Sequence, residues 1–253
     1  MTLKPYAVVT GASSGIGAAT SHALAKEGFH VIAAARRVDR LNALAASASG
    51  LDGEIEAFEL DVTNQGSVDA LAKALVGKPL EVVVNNAGGA FDASTVLDAD
   101  IESWEKTYDI NVVGSVRLIK ALAPILRAHG KGHLVVLTST AGHVVYETGG
   151  SYTAAKHGEK ALVNTLRLEL AGEPIRVTEI APGMVKTEEF AVTRFKGDAA
   201  AASKVYEGVA NPLTAEDVAE AIRWSVMLPD HFNVDSMTIR PLAQAAQHKV
   251  IRK

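Results

Sequence analysis

Residues 6–17 read YAVVTGASSGIG: an apolar run, a glycine-rich turn and the opening of a helix. The run is continuous in Ala and Val rather than alternating, as in a parallel strand buried on both faces. Gly11, Gly15 and Gly17, spaced G-x-x-x-G-x-G, let the backbone turn tightly and come close to a ligand. A helix starting at Ser14, Gly15 and Ile16 offers free N–H groups and a positive dipole end to a pyrophosphate. Glycines in such a turn also serve loop geometry alone. Their place directly after a first strand is what favours a dinucleotide.

Outward from this stretch, short apolar runs recur at 30–34, 55–60, 81–84, 133–138, 176–180 and 236–239. Amphipathic helical patterns lie between them, at 16–26, 65–75, 104–127, 152–170 and 215–227. Repeated β-then-α order predicts an α/β chain: a single-domain, Rossmann-type, doubly wound parallel sheet of about seven strands with helices on both faces. Residues 1–253 read as one dinucleotide-binding and catalytic domain, without repeats or a dividing linker. Residues 186–211 interrupt the alternation, and an excursion of that length reads as a substrate lid or as a solvated loop. The stretch LAQAAQHKVIRK (242–253) reads as a tail that docks on a neighbouring subunit or frays.

The chain has 253 residues, 48% apolar and 21% charged, with a net charge of −4. These are the proportions of a globule with a sizeable core, and they argue against nucleic acid or an anionic membrane as the main partner. The absence of cysteine excludes disulfides, thiolate metal sites and thiol nucleophiles. No apolar run is long enough to span a bilayer, and residues 1–11 lack a signal-peptide pattern. Cytoplasmic residence is the expectation, and no metal is called for.

The second strand pattern ends Ala33-Ala34-Ala35-Arg36-Arg37, where an NAD-binding chain would carry a carboxylate for the ribose 2′-hydroxyl. Two guanidiniums suit a 2′-phosphate instead, through charge-assisted contacts to which Ser13 adds a hydroxyl. NADP(H) is favoured over NAD(H). The alternative is an arginine pair that merely opens the next helix in solvent.

Tyr152 and Lys156 stand four residues apart on one face of a helical pattern. A phenol titrates at about 10 when free, and an ammonium one turn away favours its ionised form, which makes a general acid/base. Alone, the pair also fits a buried tyrosine beside a surface lysine.

With these residues in hand, the chain resembles the short-chain dehydrogenase/reductase family over essentially its whole length. The matching motifs run in family order: the glycine turn, Asp61-Val62, Asn85-Asn86-Ala87-Gly88, Asn111, Ser139, Tyr152, Lys156 and Pro182-Gly183. Ser139 precedes Tyr152 by thirteen positions, as the family pattern requires. The resemblance implies Asn111, Ser139, Tyr152 and Lys156 as the catalytic set. It places Asp61 and Val62 beside the adenine, and the backbone of Asn86, Ala87 and Gly88 beside the adenosine ribose. Lys156 would also hold the nicotinamide ribose, and the turn from Pro182 and Gly183 through Val185 to Thr187 would meet the carboxamide. Within the family the likeness is to NADP-dependent 3-hydroxy acid dehydrogenases, including the serine 3-dehydrogenase type. It rests on Ser139-Thr140-Ala141-Gly142, Glu189-Phe190, residues 194–198 (RFKGD), residues 214–221 (TAEDVAEA) and Leu228-Pro229. That implies a small hydroxy-acid substrate interconverted with its carbonyl, and a homotetramer built through the helices at 104–127 and 152–170. A neutral sugar, polyol, ketone or steroid is the alternative substrate, and a non-catalytic NADP(H) sensor the remote one. For a substrate carboxylate the first cation is Arg194, with His143, Lys186 and Arg240 behind it. Tyr146 lies in the same pocket-side segment. Arg194 could equally pair with Glu188, Glu189 or Asp198 on the surface.

Overall fold

A computed structural model describes residues 4–253. Strand β1 (Tyr6–Thr10) leads through the glycine turn into helix α1 (Gly15–Lys26), then β2 (His30–Ala35) and α2 (Val38–Ser47). Next come β3 (Glu54–Glu59), α3 (Gln65–Leu75) and β4 (Leu80–Asn85). Helix α4 (Ile101–Tyr108) continues through a π-helical turn, Asp109–Val113, into α5 (Gly114–His129). Strand β5 (Gly132–Leu137), helix α6 (Gly150–Glu169) and β6 (Ile175–Pro182) complete the central part. The excursion at 186–211 carries α7 (Phe190–Arg194) and α8 (Ala199–Lys204), and α9 (Ala215–Val226) precedes β7 (Ser236–Ile239).

The seven strands form one sheet in the order β3-β2-β1-β4-β5-β6-β7, and every pairing in it is parallel. Parallel neighbours need crossover connections, and the helices supply them on both faces. Alternate strand residues define the two cores. Val8, Val83 and Leu134 pack with Leu71 of α3, Leu118 and Leu122 of α5 and Val163 of α6. Ala7, Val9, Val82 and Val84 pack with Leu24 of α1, Leu41 of α2 and Ile222 of α9. The strand order reverses between β1 and β4, so a crevice opens at their carboxyl ends, where ligands bind in sheets of this kind.

Two sequence expectations change here. The helix expected over 104–127 is broken at Asp109–Val113, a distortion that frequently accompanies functional sites. The stretch at 242–253, read as docking on a neighbouring subunit or fraying, is folded rather than frayed. Its residues Gln244–Ala246 (β8) and Lys249–Val250 (β9) pair as an antiparallel hairpin. Arg252 Nη2 donates to Val205 O at 3.1 Å and Lys253 N to Gly208 O at 2.9 Å, so this strap grips the chain's own 186–211 excursion. Those carbonyls follow a short helix and take their donors from the strap.

Candidate active site

The glycine turn brings the ends of β1 and β4 together. Asn86 N and Ala87 N donate to Thr10 Oγ1 at 3.0 and 2.9 Å, and Asn86 Nδ2 donates to Thr10 O at 2.7 Å. Gly11 has φ of +67°, and a Cβ there would lie 2.8 Å from Asn86 Nδ2. No side chain caps α1, whose first turn carries no acid, so its N–H groups stay available. A cavity of about 580 Å³ starts here, lined by Gly11, Ser14, Gly15, Ile16 and Arg36 at one end and by Asn86, Ala87 and Gly88 above them. Pro182, Gly183, Val185 and Thr187 line it too.

Arg36 and Arg37 part company. Arg36 lines the cavity and is exposed, with no carboxylate in ion-pair contact among the described residues. Arg37 donates from Nε and Nη2 to Ser13 Oγ at 3.2 and 2.8 Å and from Nη2 to Ser14 Oγ at 3.1 Å, and it forms an ion pair with Glu189. Glu189 also accepts from Arg40 Nη1 at 2.7 Å and from Ser14 Oγ at 3.2 Å. The Arg37 hydrogen bond holds the Glu189 carboxyl below the usual carboxylate range despite partial burial. Ser13, Gly17, Arg37, Asp61 and Val62 stand outside the cavity lining. Val62 is buried in the core, and Asp61 Oδ1 accepts from Thr63 N and Oγ1 at 2.9 and 2.7 Å.

Ser139, Tyr152 and Lys156 line the middle of the same cavity. Tyr152, in the first turn of α6, is buried against Ala90 and Ala141, with the Phe190 ring edge-on at 5.3 Å. Lys156 Nζ lies 5.7 Å from the Tyr152 ring centroid and donates to Leu137 O at 3.0 Å. Its third neighbour is Glu159, whose Oε2 is 2.5 Å away, and both side chains are buried. Burial works against the Lys156 charge, but the nearby Glu159 and Tyr152 outweigh it and keep this ammonium above its ordinary range. Burial pushes the Glu159 carboxyl up. Ser139 Oγ accepts from Ala141 N at 3.1 Å, which opens a tight turn (Thr140–Gly142) packed against α6.

Asn111 sits in the π-helical turn behind the wall. Its Oδ1 accepts from Gly89 N at 3.2 Å, and its Nδ2 donates to Gly89 O and Thr107 O at 2.8 and 2.7 Å. A Cβ on Gly88 would meet both Asn111 Oδ1, at 2.5 Å, and Lys156 Nζ, at 3.6 Å. The loop after β4 therefore threads between Asn111 and Lys156.

Arg194 and Tyr146 also line the cavity, and Tyr146 packs against the cluster that holds Tyr152. Arg194 Nη1 donates to Tyr146 OH at 3.1 Å and Nη2 to Thr148 O at 2.9 Å, and its guanidinium lies over the Tyr146 ring, 5.3 Å from the centroid. The surface pairing with Glu188, Glu189 or Asp198 is absent among the described residues; Glu188 and Glu189 pair with Arg40 and Arg37 instead. The Arg194 Nε is buried without a partner. Burial raises the Tyr146 phenol, which keeps it protonated beside Arg194.

His143 does not line the cavity, contrary to the expectation from sequence. Its Nε2 is 2.9 Å from Glu179 Oε1 and its Nδ1 2.8 Å from Lys160 Nζ. Glu179 is a buried carboxylate on β6 that needs donors, and His143 joins Thr138 and Ser236 in supplying them. Lys186 and Arg240 also lie outside the lining. The sequence reading missed Glu159, Glu179, Gln244 and Gln247. Gln244 Oε1 accepts from Met184 N at 2.8 Å and Gln247 Oε1 from Thr140 Oγ1 at 2.9 Å, so the strap forms part of the cavity wall. Only Glu159 carried a local signal, its place three residues after Lys156.

A glycine turn at the sheet's switch point and a serine, tyrosine and lysine opening on one cavity define an oxidoreductase of the doubly wound α/β class. The family model for short chain dehydrogenases matches residues 5–196, and the chain belongs to that family. An uncharacterized oxidoreductase of Mycobacterium tuberculosis is 51% identical over 245 residues, covering 97% of this chain and 94% of the relative. An NADP-dependent 3-hydroxy acid dehydrogenase of Salmonella typhi is 35% identical over 240 residues, covering 94% and 95%. Among solved structures, the closed form of a serine dehydrogenase complexed with NADP+ superposes with a TM-score of 0.89 at 33% identity, covering 98% of this chain and 99% of that one.

Proposed function

We propose that this protein interconverts a small 3-hydroxy acid and its carbonyl form with NADP(H), with residues 186–211 as the lid over the substrate. The observation that carries the substrate class is Arg194, a guanidinium with no carboxylate partner in the lining of the cavity that holds Tyr152. A carboxylate there gains charge-assisted hydrogen bonds and leaves no buried N–H unpaired.

The cavity fits an NADP(H) molecule on its own evidence. The N-terminus of α1 is uncapped and Arg36 is unneutralised. The Glu189 carboxylate held by Ser14, Arg37 and Arg40 marks the neighbouring cluster as one that accepts anions. Bound there, the cofactor would exchange hydride with the substrate carbon. Arg36 would hold its 2′-phosphate, and Lys156 its nicotinamide ribose. Ser139 Oγ would hydrogen-bond the carbonyl oxygen as charge develops on it. Tyr152 would give that oxygen its proton during reduction and take one during oxidation. Asn111 would hold the loop at Gly88 and Gly89 against Lys156. Exposed Tyr108, Val113, Val116 and Leu168 on α4–α6 support self-association through those helices, as a homotetramer.

The test is nucleotide reduction followed by absorbance with L-serine, 3-hydroxypropionate, 3-hydroxyisobutyrate and 2-butanol, each with NADP+ and with NAD+. Turnover of the hydroxy acids, faster with NADP+, is the expected result. Turnover of 2-butanol alone would discard the acid-binding role of Arg194.

A further inference from the structure

Glu159 is a charged group without an evident packing task. It is 1% exposed, on a helix face that also buries Val163 and Leu166, where an apolar side chain would serve the core as well. A buried carboxylate is costly unless a partner repays its lost hydration. The cation beside Glu159 is the lysine of the catalytic pair, with Oε2 2.5 Å from Lys156 Nζ. Ser115 Oγ lies 3.4 Å from the other oxygen, and Ser115 is itself fixed by Asn85 Nδ2 at 2.6 Å and by the Asn111 carbonyl. The carboxylate is thus tied to the same π-helical turn that positions Asn111.

Tyr152, Lys156 and Glu159 lie in that order along α6, one turn apart, with the ammonium in the middle. Lys156 donates one N–H to Leu137 O, and its charge is paired with the Glu159 carboxylate. We propose that Glu159 is a positioning residue: it anchors the Lys156 ammonium and offsets part of its charge, and so sets the pH at which the Tyr152–Lys156 pair releases its proton. This rests on the reaction proposed above.

The sign follows from electrostatics. A negative charge beside the pair disfavours loss of a proton from either member, so its removal lowers the pair's first macroscopic titration whichever group gives up the proton. The other charged neighbours do not replace it. Glu179 of β6 faces Glu159 as a like charge and raises it. Glu179 is occupied with Thr138, Ser236 and His143, and Lys160 is turned to His143. From α5 the uncharged Ser115 makes contact.

The experiment titrates tyrosinate by ultraviolet difference absorbance in the NADP+-saturated protein, for wild type, Glu159→Asp and Glu159→Gln. Each is referenced to its own Tyr152→Phe counterpart, and the pH dependence of alcohol oxidation is recorded alongside. Glu159→Gln is expected to move the tyrosinate midpoint down by about one pH unit, a tenfold change in proton concentration. Glu159→Asp, with its carboxylate drawn back, should fall between Gln and wild type, and the oxidation limb should follow both. A midpoint that stays put or rises overturns the assignment. Should Glu159→Gln not fold, an unmoved midpoint in Glu159→Asp does the same. Turnover retained by Tyr152→Phe would instead remove the underlying reaction. A dead Tyr152→Phe with an unmoved midpoint would remove only the role of Glu159.

Discussion

Arg194 carries its charge on a short helix, α7, with its partners reduced to a phenol and a backbone carbonyl. Arg194→Ala is expected to raise KM for hydroxy acids by about tenfold to a hundredfold, the worth of a charged hydrogen bond. KM for a neutral alcohol should be unchanged. Equal losses for both substrates would reduce Arg194 to a lid prop. Tyr152, Lys156 and Ser139 were legible in the sequence because fixed spacings place them, whatever the rest of the chain does. Glu159 was not, since a glutamate three residues from a lysine on a helix ordinarily reads as a solvent-facing pair. His143 was misplaced for a similar reason. Its loop adjoins Ser139, but its partner Glu179 lies on another strand, and no local pattern announces that meeting.

Among the elements, β5 holds a titratable group in the sheet itself. His133 is buried with Nε2 2.8 Å from Thr178 Oγ1 of β6, and burial pushes its pKa down to about 3. Unfolded, the same imidazole titrates near about 6.5. Between those values the unfolded chain binds a proton that the folded chain refuses, so this contribution to stability is whole above pH ~6.5 and is lost as pH falls toward 3, by up to about 1.4 kcal/mol per unit. Wild type should therefore lose Tm more steeply than His133→Gln between about pH 6 and 4. Parallel slopes would assign the acid sensitivity to other groups. The strands themselves were easy to read, since Val-, Ile- and Leu-rich runs bounded by turns have few other interpretations. The break at Asp109–Val113 was hidden, because DINVV contains neither proline nor glycine. Around it Asn111 Nδ2 and Ser115 Oγ each donate to the carbonyl four residues earlier, and Asn111 also bonds Gly89 across the fold, a contact outside any local pattern.

At the scale of the whole molecule, the strap and the 186–211 excursion form one assembly. Gln244 and Gln247 reach the cavity while Arg252 and Lys253 hold the turn after α8. Removing residues 244–253 should leave the far-ultraviolet circular dichroism of the sheet intact. It should raise KM for hydroxy acids several-fold and turn 186–211 into a site of limited proteolysis. Undiminished protease resistance would show the strap to be idle. Nothing periodic in LAQAAQHKVIRK predicted this, since two- and three-residue strands are too short for a pattern. The doubly wound parallel sheet was legible in the repeated β-then-α order, and the structure supplies the spatial order of its strands. That order has a kinetic side. Thr10 closes on Asn86 and Ala87 across 76 and 77 positions of chain, so the cleft's two walls meet only when non-local pairing is complete. Gly11 and Ser14 follow one strand end and Asn86, Ala87 and Gly88 the other, so neither end alone frames the cavity. A molecule in which these contacts have not yet formed lacks a complete cleft, so the hydride transfer proposed above belongs to the folded chain alone.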